Sequence, residues 1–441
     1  MPDIRSTPRS RSGVPGLDDV LHGGYIPGRF YLVDGNAGAG KTTLALHYLM
    51  QGLQEGERVL YLTLAETAEE LREGASSHGW SLARSSLRYR RQVLALKHFF
   101  VHRGCTVLLL DDRTAEGADL QLQSIAHGVM SLEHNVPRYG PALRQLRVVK
   151  FRGSDFISGA QDMALGRGGL RVFPRPTAAD HSRELVRDAV PSGVARLDAL
   201  LGGGIDRGTT TLVMGPPGAG KSTIAAHFAV AACQRGDHAV VFAFEEGRSL
   251  LLTRLAGLGL RINPGKGPGQ LDVVRINPAE VLPSEFACQV RNAVERQGAR
   301  VIVIDSLNGY LNAMPEERAL TTQLHELLTY LNNHGVATFL VSAQAGMFGP
   351  SMRSPVDASY LADSVMLLRL FEHKGSFRRA ISVVKKRTGS HEDTICRVWF
   401  DSQGVHLSGS LLHLRGVLTG VPVEVGPEHE DAAQGLAAHA P

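Results

Sequence analysis

Gly35-Asn36-Ala37-Gly38-Ala39-Gly40-Lys41-Thr42 and Gly215-Pro216-Pro217-Gly218-Ala219-Gly220-Lys221-Ser222 are two copies of one glycine-rich pattern, with 180 positions between equivalent residues. Small residues are required in such a loop because its backbone N–H groups must converge on phosphate oxygens, while the Lys reaches the outer phosphates and the following hydroxyl helps to hold Mg²⁺. Each loop follows an apolar run, 30–33 or 211–214, and opens a stretch with helical character, 42–53 or 222–234. Strand, loop and helix in that order distinguish a phosphate loop from a chance glycine turn. The residues expected to hold nucleotide are Gly35, Gly38, Ala39, Gly40, Lys41, Thr42 and Thr43 in the first copy. In the second they are Gly215, Pro216, Pro217, Gly218, Ala219, Gly220, Lys221, Ser222 and Thr223.

The same offset pairs Ser12 with Ser192, Gly13 with Gly193, Leu17 with Leu197, Asp18 with Asp198, Gly24 with Gly204, His47 with His227 and Glu66 with Glu246. Self-similarity of this length means two copies of one fold. At 441 residues and 43% hydrophobic, the chain is long enough for two full cores. A net charge of +4 from 47 basic and 43 acidic residues gives little support to a nucleic-acid partner. Cys105, Cys233, Cys288 and Cys396 form no C-x-x-C pair and read as buried, reduced thiols. The 18 histidines show no paired-ligand spacing, so no metal beyond Mg²⁺ is expected. The polar start and the lack of a long apolar run argue against a signal peptide and a membrane span, and so for a cytoplasmic protein.

The organisation expected is a first P-loop domain over 1–175, a linker over 176–190 containing Pro176, a second P-loop domain over 191–423 and a mobile tail over 424–441. In the second domain, apolar runs at 239–244, 301–304 and 337–341 alternate with helical stretches at 249–258, 284–297 and 316–333. Such alternation means a mainly parallel sheet flanked by helices. Runs at 364–370, 380–384 and 395–400, separated by charged turns, read as antiparallel additions at one edge.

These features resemble the KaiC-like family of tandem RecA-type P-loop ATPases, with a Ser-Gly-Val-x-x-Leu-Asp segment and a Gly-Gly turn ahead of each loop. The resemblance covers nearly the whole chain up to about Pro422. It implies an α/β fold of tandem RecA-like P-loop NTPase domains, ATP and Mg²⁺ as cofactors, and a homo-hexameric ring. Glu245 and Glu246, after an apolar strand, then become the pair that orients or deprotonates the attacking group, a role phosphoryl transfer requires. Asp305, ending the apolar run 301–304, becomes the Walker B carboxylate beside the metal held by Ser222, and Gln344 is similar to the family's sensor. Lys385 and Arg387, at i and i+2 on an expected strand and so on one face, become a finger reaching the neighbouring subunit. Lys150 and Arg152 stand in the matching place.

The first copy is truncated. The offset between copies grows from 180 at the loops to 231 at Gly104 and Gly335, so 51 residues are missing, and they correspond to the stretch that carries Asp305. Val107-Leu108-Leu109-Leu110-Asp111-Asp112 looks like a Walker B strand, yet its flanks align Asp111 with Ser342 and Asp112 with Ala343. Walker B remains the alternative for this stretch. Ala65-Glu66 replaces the Glu245-Glu246 pair. The first copy is therefore expected to keep the phosphate cradle without full catalytic chemistry.

The resemblance also implies serine/threonine autokinase activity, for which this chain offers Ser359 followed by Tyr360 where the family has an adjacent Ser and Thr. The resulting expectation is a Mg-dependent, ring-forming ATPase with a signalling or regulatory role and a signalling protein as a further partner. The alternatives are a nucleotide-gated scaffold with little turnover and a RecA-like DNA motor. The mixed charges of Glu316, Glu317, Arg318, Arg353 and Asp357 disfavour the motor.

Overall fold

Apolar runs that alternate with amphipathic segments build two α/β sheets here. A computed structural model describes residues 8–61, 99–112, 120–136, 142–175, 188–260, 269–311, 317–344 and 358–425, and the chain divides into two compact units, Met1–Arg175 and Pro176–Pro441.

The second unit carries a nine-stranded sheet in the order Leu271–Arg275, His238–Ala243, Ala299–Asp305, Ala337–Ala343, Thr210–Gly215, Ser364–His373, Ser376–Lys386, Cys396–Asp401 and Gly404–Ser410. The first six strands are parallel, and the last three add antiparallel pairs at one edge. The central strands are apolar throughout because both faces are covered. Val301 and Val303 join the core under the helix Lys221–Gln234, whereas Ile302 and Ile304 join the core that includes Phe286 and Leu327, from the helices Pro283–Glu295 and Glu317–Asn333. The helix Lys221–Gln234 is apolar nearly all round and buried over most of its length, as expected of an interior helix.

The first unit has six strands in the order Val107–Asp112, Phe30–Gly35, Gly128–Asn135, Leu143–Phe151, Ala160–Gly166 and Gly169–Phe173. The two pairs made by Phe30–Gly35 are parallel and the other three are antiparallel. This order repeats the second sheet from Ala337–Ala343 to its antiparallel edge. Among the described residues of this unit, no strand occupies the place of Ala299–Asp305.

In the second unit His238–Ala243 pairs with Ala299–Asp305 on one side and Leu271–Arg275 on the other. The corresponding residues Arg58 to Tyr61 are not in a strand, which follows if the neighbour they would pair with is gone. Cover over the P-loop helix thins as well: Leu53, at the end of Lys41–Gln54, is 51% exposed, whereas its counterpart Cys233 is 8% exposed.

The shared entry segment has a local cause in both copies. The Asp18 carboxylate accepts from the Ser12 N–H at 2.9 Å, and the Asp198 carboxylate accepts from the Ser192 N–H at 2.6 Å and its hydroxyl at 2.7 Å. Each Asp also lends its backbone carbonyl to the Gly-Gly turn, through Gly23 and Gly203 at 2.7 Å. The aspartate thus closes the loop that leads into the P-loop strand.

Some expectations are corrected. Cys105 is exposed and Cys288 half-buried, so only Cys233 and Cys396 are buried thiols. Val423–Glu424 pairs with Leu414–Arg415, so ordered pairing reaches Glu424, and the tail from 426 on lies outside the described residues. No helix among the described residues is long and apolar enough to cross a membrane.

Candidate active site

In the second unit the P-loop leaves the strand Thr210–Gly215 and turns into Lys221–Gln234. Gly220 takes φ +98°, and a Cβ there would lie 2.4 Å from the Phe400 ring, so only glycine fits. The helix opens directly behind it, presenting unpaired N–H groups and the positive end of its dipole, which suits phosphate. Lys221 is buried and donates to the Pro216 carbonyl at 2.8 Å, its one partner among the described residues. Burial pulls its ammonium below the usual lysine range, against the fields of Asp305 and Glu245.

Asp305 reaches this point from a strand that is not adjacent to the P-loop strand; Ala337–Ala343 lies between them. Its peptide bond to Ser306 is cis. Burial pushes the Asp305 carboxyl up, while a hydrogen bond from Ser222 and the Arg254 charge act the other way. A hydroxyl and a carboxylate in contact beside a P-loop form the oxygen donor pair that Mg²⁺ takes along with phosphate oxygens and water. Among the described residues no group of three or more His, Cys, Asp or Glu is placed to hold a metal alone.

The two glutamates diverge. The Ser306 hydroxyl donates to Glu245 Oε1 at 2.6 Å, while the Gly309 N–H donates to the Ser306 oxygen at 3.2 Å. Glu246 instead pairs with Arg254, which donates from Nε at 3.2 Å and from a terminal nitrogen at 2.7 Å. The other terminal nitrogen of Arg254 donates to the Thr223 hydroxyl at 2.8 Å. Both glutamates raise the Asp305 carboxyl, but Glu245 also acts on Lys221, whereas Glu246 ties the helix Arg248–Gly257 to the start of the P-loop helix. Gln344 donates its N–H to the Gly215 carbonyl at 3.1 Å, and its side-chain carbonyl is buried without a partner among the described residues, as is the Ser342 hydroxyl.

Lys385 and Arg387 converge on one turn by different routes. Lys385 donates to the Ser359 carbonyl at 2.9 Å and the Ala362 carbonyl at 2.7 Å. The strand Ser376–Lys386 ends before Arg387, so the two do not project as i and i+2 of one strand. The Arg387 guanidinium is 54% exposed, 3.5 Å from the Tyr360 carbonyl and 3.5 Å from the Asp363 carboxylate. Ser359 lies in the short helical turn Ala358–Tyr360.

The first unit repeats part of this. Lys150 donates to the Gln123 carbonyl at 2.9 Å and the Ser124 carbonyl at 3.3 Å, as Lys385 does to its own turn, and Arg152 is exposed. Arg144 and Arg379 each donate from Nε to the third P-loop residue after the first glycine, to Gly38 at 3.3 Å and Gly218 at 3.0 Å. The strand registers place Asp111 opposite Asp34 and Asp112 opposite Gly35, as Ser342 stands opposite Met214 and Ala343 opposite Gly215. Asp111 thus occupies the position of Ser342 and not that of Asp305. Lys41 is buried, donates to the Gly35 and Asn36 carbonyls at 3.0 and 2.9 Å, and pairs with Asp112 at 2.5 Å. Glu66 lies outside the described residues.

Sequence reasoning missed Ser306, Arg254, Arg379 and the Lys41–Asp112 pair. Ser306 follows Asp305 directly, and its place at a strand end was a usable signal. The others depend on helix packing or strand register and left no local pattern.

Two P-loops, each on a sheet carrying antiparallel strands at one edge, and a strand-end aspartate beside one of them define a RecA-like P-loop ATPase fold in tandem. Residues 10–88 and 190–409 match the family model described as ATPase: KaiC, and the chain belongs to that family. It is 22% identical to the circadian clock protein KaiC3 of Synechocystis sp., over 96% of each chain. It is 23% identical to the circadian clock oscillator protein KaiC of Parasynechococcus marenigrum, over 94% of this chain and 93% of that one. To the KaiC of Parathermosynechococcus lividus it is 20% identical, over 97% and 91%.

Proposed function

We propose that this chain is a Mg-dependent ATPase that works as a ring of identical subunits, with turnover in the second P-loop domain and a mainly structural first domain. The observation that carries this reading is the linked set Ser222, Asp305, Ser306 and Glu245 around Lys221, whose aspartate has no counterpart among the described residues of the first unit. The N–H groups at the start of Lys221–Gln234 and the Lys221 ammonium would hold the phosphates. Mg²⁺ bound with ATP would neutralise charge on the transferred group, and Ser222 with Asp305 would hold it.

Glu245 accepts a hydrogen bond from the Ser306 hydroxyl and is the group we assign to orient and deprotonate the attacking water. Glu246 acts through Arg254 to position the P-loop helix. Arg387, exposed and outside the strand, is the side chain of the Lys-x-Arg pair available to a neighbouring subunit. Lys385 anchors the turn beside which Arg387 lies. The named relatives are circadian clock proteins, and a signalling or regulatory role with a protein partner is the part we carry over.

The test is the fate of γ-labelled ATP with purified protein and the Lys221→Ala variant. Release as phosphate, lost in the variant, supports the ATPase. Label retained on protein moves the reading to a serine/threonine autokinase, with Ser359 as acceptor. Absence of both leaves a nucleotide-gated scaffold.

A further inference from the structure

The two P-loop lysines differ in how their hydrogens are used. An ammonium has three N–H donors. Lys41 spends them on the Gly35 carbonyl, the Asn36 carbonyl and the Asp112 carboxylate, at 3.0, 2.9 and 2.5 Å. Lys221 meets one acceptor among the described residues, the Pro216 carbonyl at 2.8 Å, and so keeps two hydrogens for an incoming phosphate. The difference traces to one position. Asp112 stands beside the first P-loop glycine, Gly35, where the second unit has Ala343 beside Gly215, and a methyl group cannot pair with a lysine.

We propose that Asp112 is a built-in counter-ion that takes the place of phosphate on Lys41 and sets the first P-loop to low nucleotide affinity. A triphosphate entering the first site must displace a carboxylate from the ammonium and then sit close to that same negative charge. Both effects weaken binding, and at the second loop, among the described residues, no carboxylate has to be displaced from Lys221. Charge-assisted hydrogen bonds of this kind correspond to roughly a ten- to hundredfold change in affinity. The carboxylate is 61% exposed, so it can be changed without opening the core. The inference deepens the reading of the first domain as non-catalytic and rests on it, because it names the residue that keeps the site from filling.

The experiment titrates ATP with Mg²⁺ into the full chain carrying Lys221→Ala, which leaves the first site as the one to be read, and compares it with Lys221→Ala/Asp112→Asn and Lys221→Ala/Asp112→Ala. Thermal melts confirm that all three are folded. The expected result is a gain in affinity of about ten- to hundredfold in both double variants, abolished when Lys41→Ala is added. Unchanged affinity overturns the proposal. A loss of affinity also overturns it and makes Asp112 a carboxylate the bound metal needs. Hydrolysis that persists in Lys221→Ala would instead sink the assignment of turnover to the second domain, a separate readout from binding at the first.

Discussion

Changing Glu245 and Glu246 separately to Gln should split two functions that the sequence presents as one acidic pair. Glu245 accepts a 2.6 Å hydrogen bond from Ser306, and its charge is felt by Lys221 and Asp305. A positioned base contributes about 10²- to 10⁴-fold, which is roughly 2.7 to 5.4 kcal/mol on the barrier. Glu245→Gln keeps the size and the hydrogen-bond acceptor and removes the basicity, so kcat should fall by that factor with ATP affinity nearly unchanged. Glu246→Gln weakens the paired contacts to Arg254 at 3.2 and 2.7 Å, a half-exposed interaction of about 0.5 to 1 kcal/mol. It should lower kcat by less than tenfold and loosen the link to Thr223. The assay is steady-state phosphate release at saturating ATP, with affinity read separately from a fluorescent ATP analogue. A loss above a hundredfold in Glu246→Gln alongside a loss below threefold in Glu245→Gln would refute this assignment.

Arg387→Ala should reduce turnover by about 10³-fold while ATP still binds. Mixing it with Lys221→Ala should restore part of the rate, since each supplies what the other lacks across a subunit boundary, and phosphate release by the mixture is the measurement. Gly220→Ala combines a left-handed backbone, costing about 1 to 2 kcal/mol, with a 2.4 Å approach to Phe400, and should abolish ATP binding at the second site. Gly40→Ala meets Leu170 at 3.4 Å, so equilibrium binding and melting should show it to be the milder change.

Arg196 holds the Glu392 carboxyl below its usual range. The folded value lies under the unfolded one of about 4.3, so the contribution is present above that pH and is lost as the pH falls through the folded value. Arg196→Ala should therefore lower Tm near neutrality and flatten the acid-side decline, as thermal melts between pH 7 and pH 3 would show.

The P-loops and the core strands were legible because both signals are local. An apolar run expected at 301–304 is the strand Ala299–Asp305, and the helix expected at 284–297 is Pro283–Glu295. The strand Leu271–Arg275 was missed because only Leu271 is buried in it and the rest alternate weakly. Lys385 and Arg387 were expected on one strand face, but the strand stops at Lys386 and a register shift lies opposite, between Val365 and Met366. The Arg254 link to Glu246 and Thr223 hides on a helix whose charged side reads as solvent-facing. The Lys41–Asp112 pair joins residues far apart in sequence, and only the pairing of their two strands brings them together.

Lys150 and Lys385 sit near the starts of the parallel strands, opposite Leu32 and Leu212 through Val129 and Val365, and so at the end of each sheet away from its own P-loop. Both still grip the turn beside them, although among the described residues of the first unit no aspartate stands in the place of Asp305. In the ring we propose, the P-loop end of a subunit would receive and the opposite end would give. Each end then answers to a different molecule of the same chain. A domain can let its receiving end decay and keep its giving end, because the loss is felt by itself and the service by its neighbour.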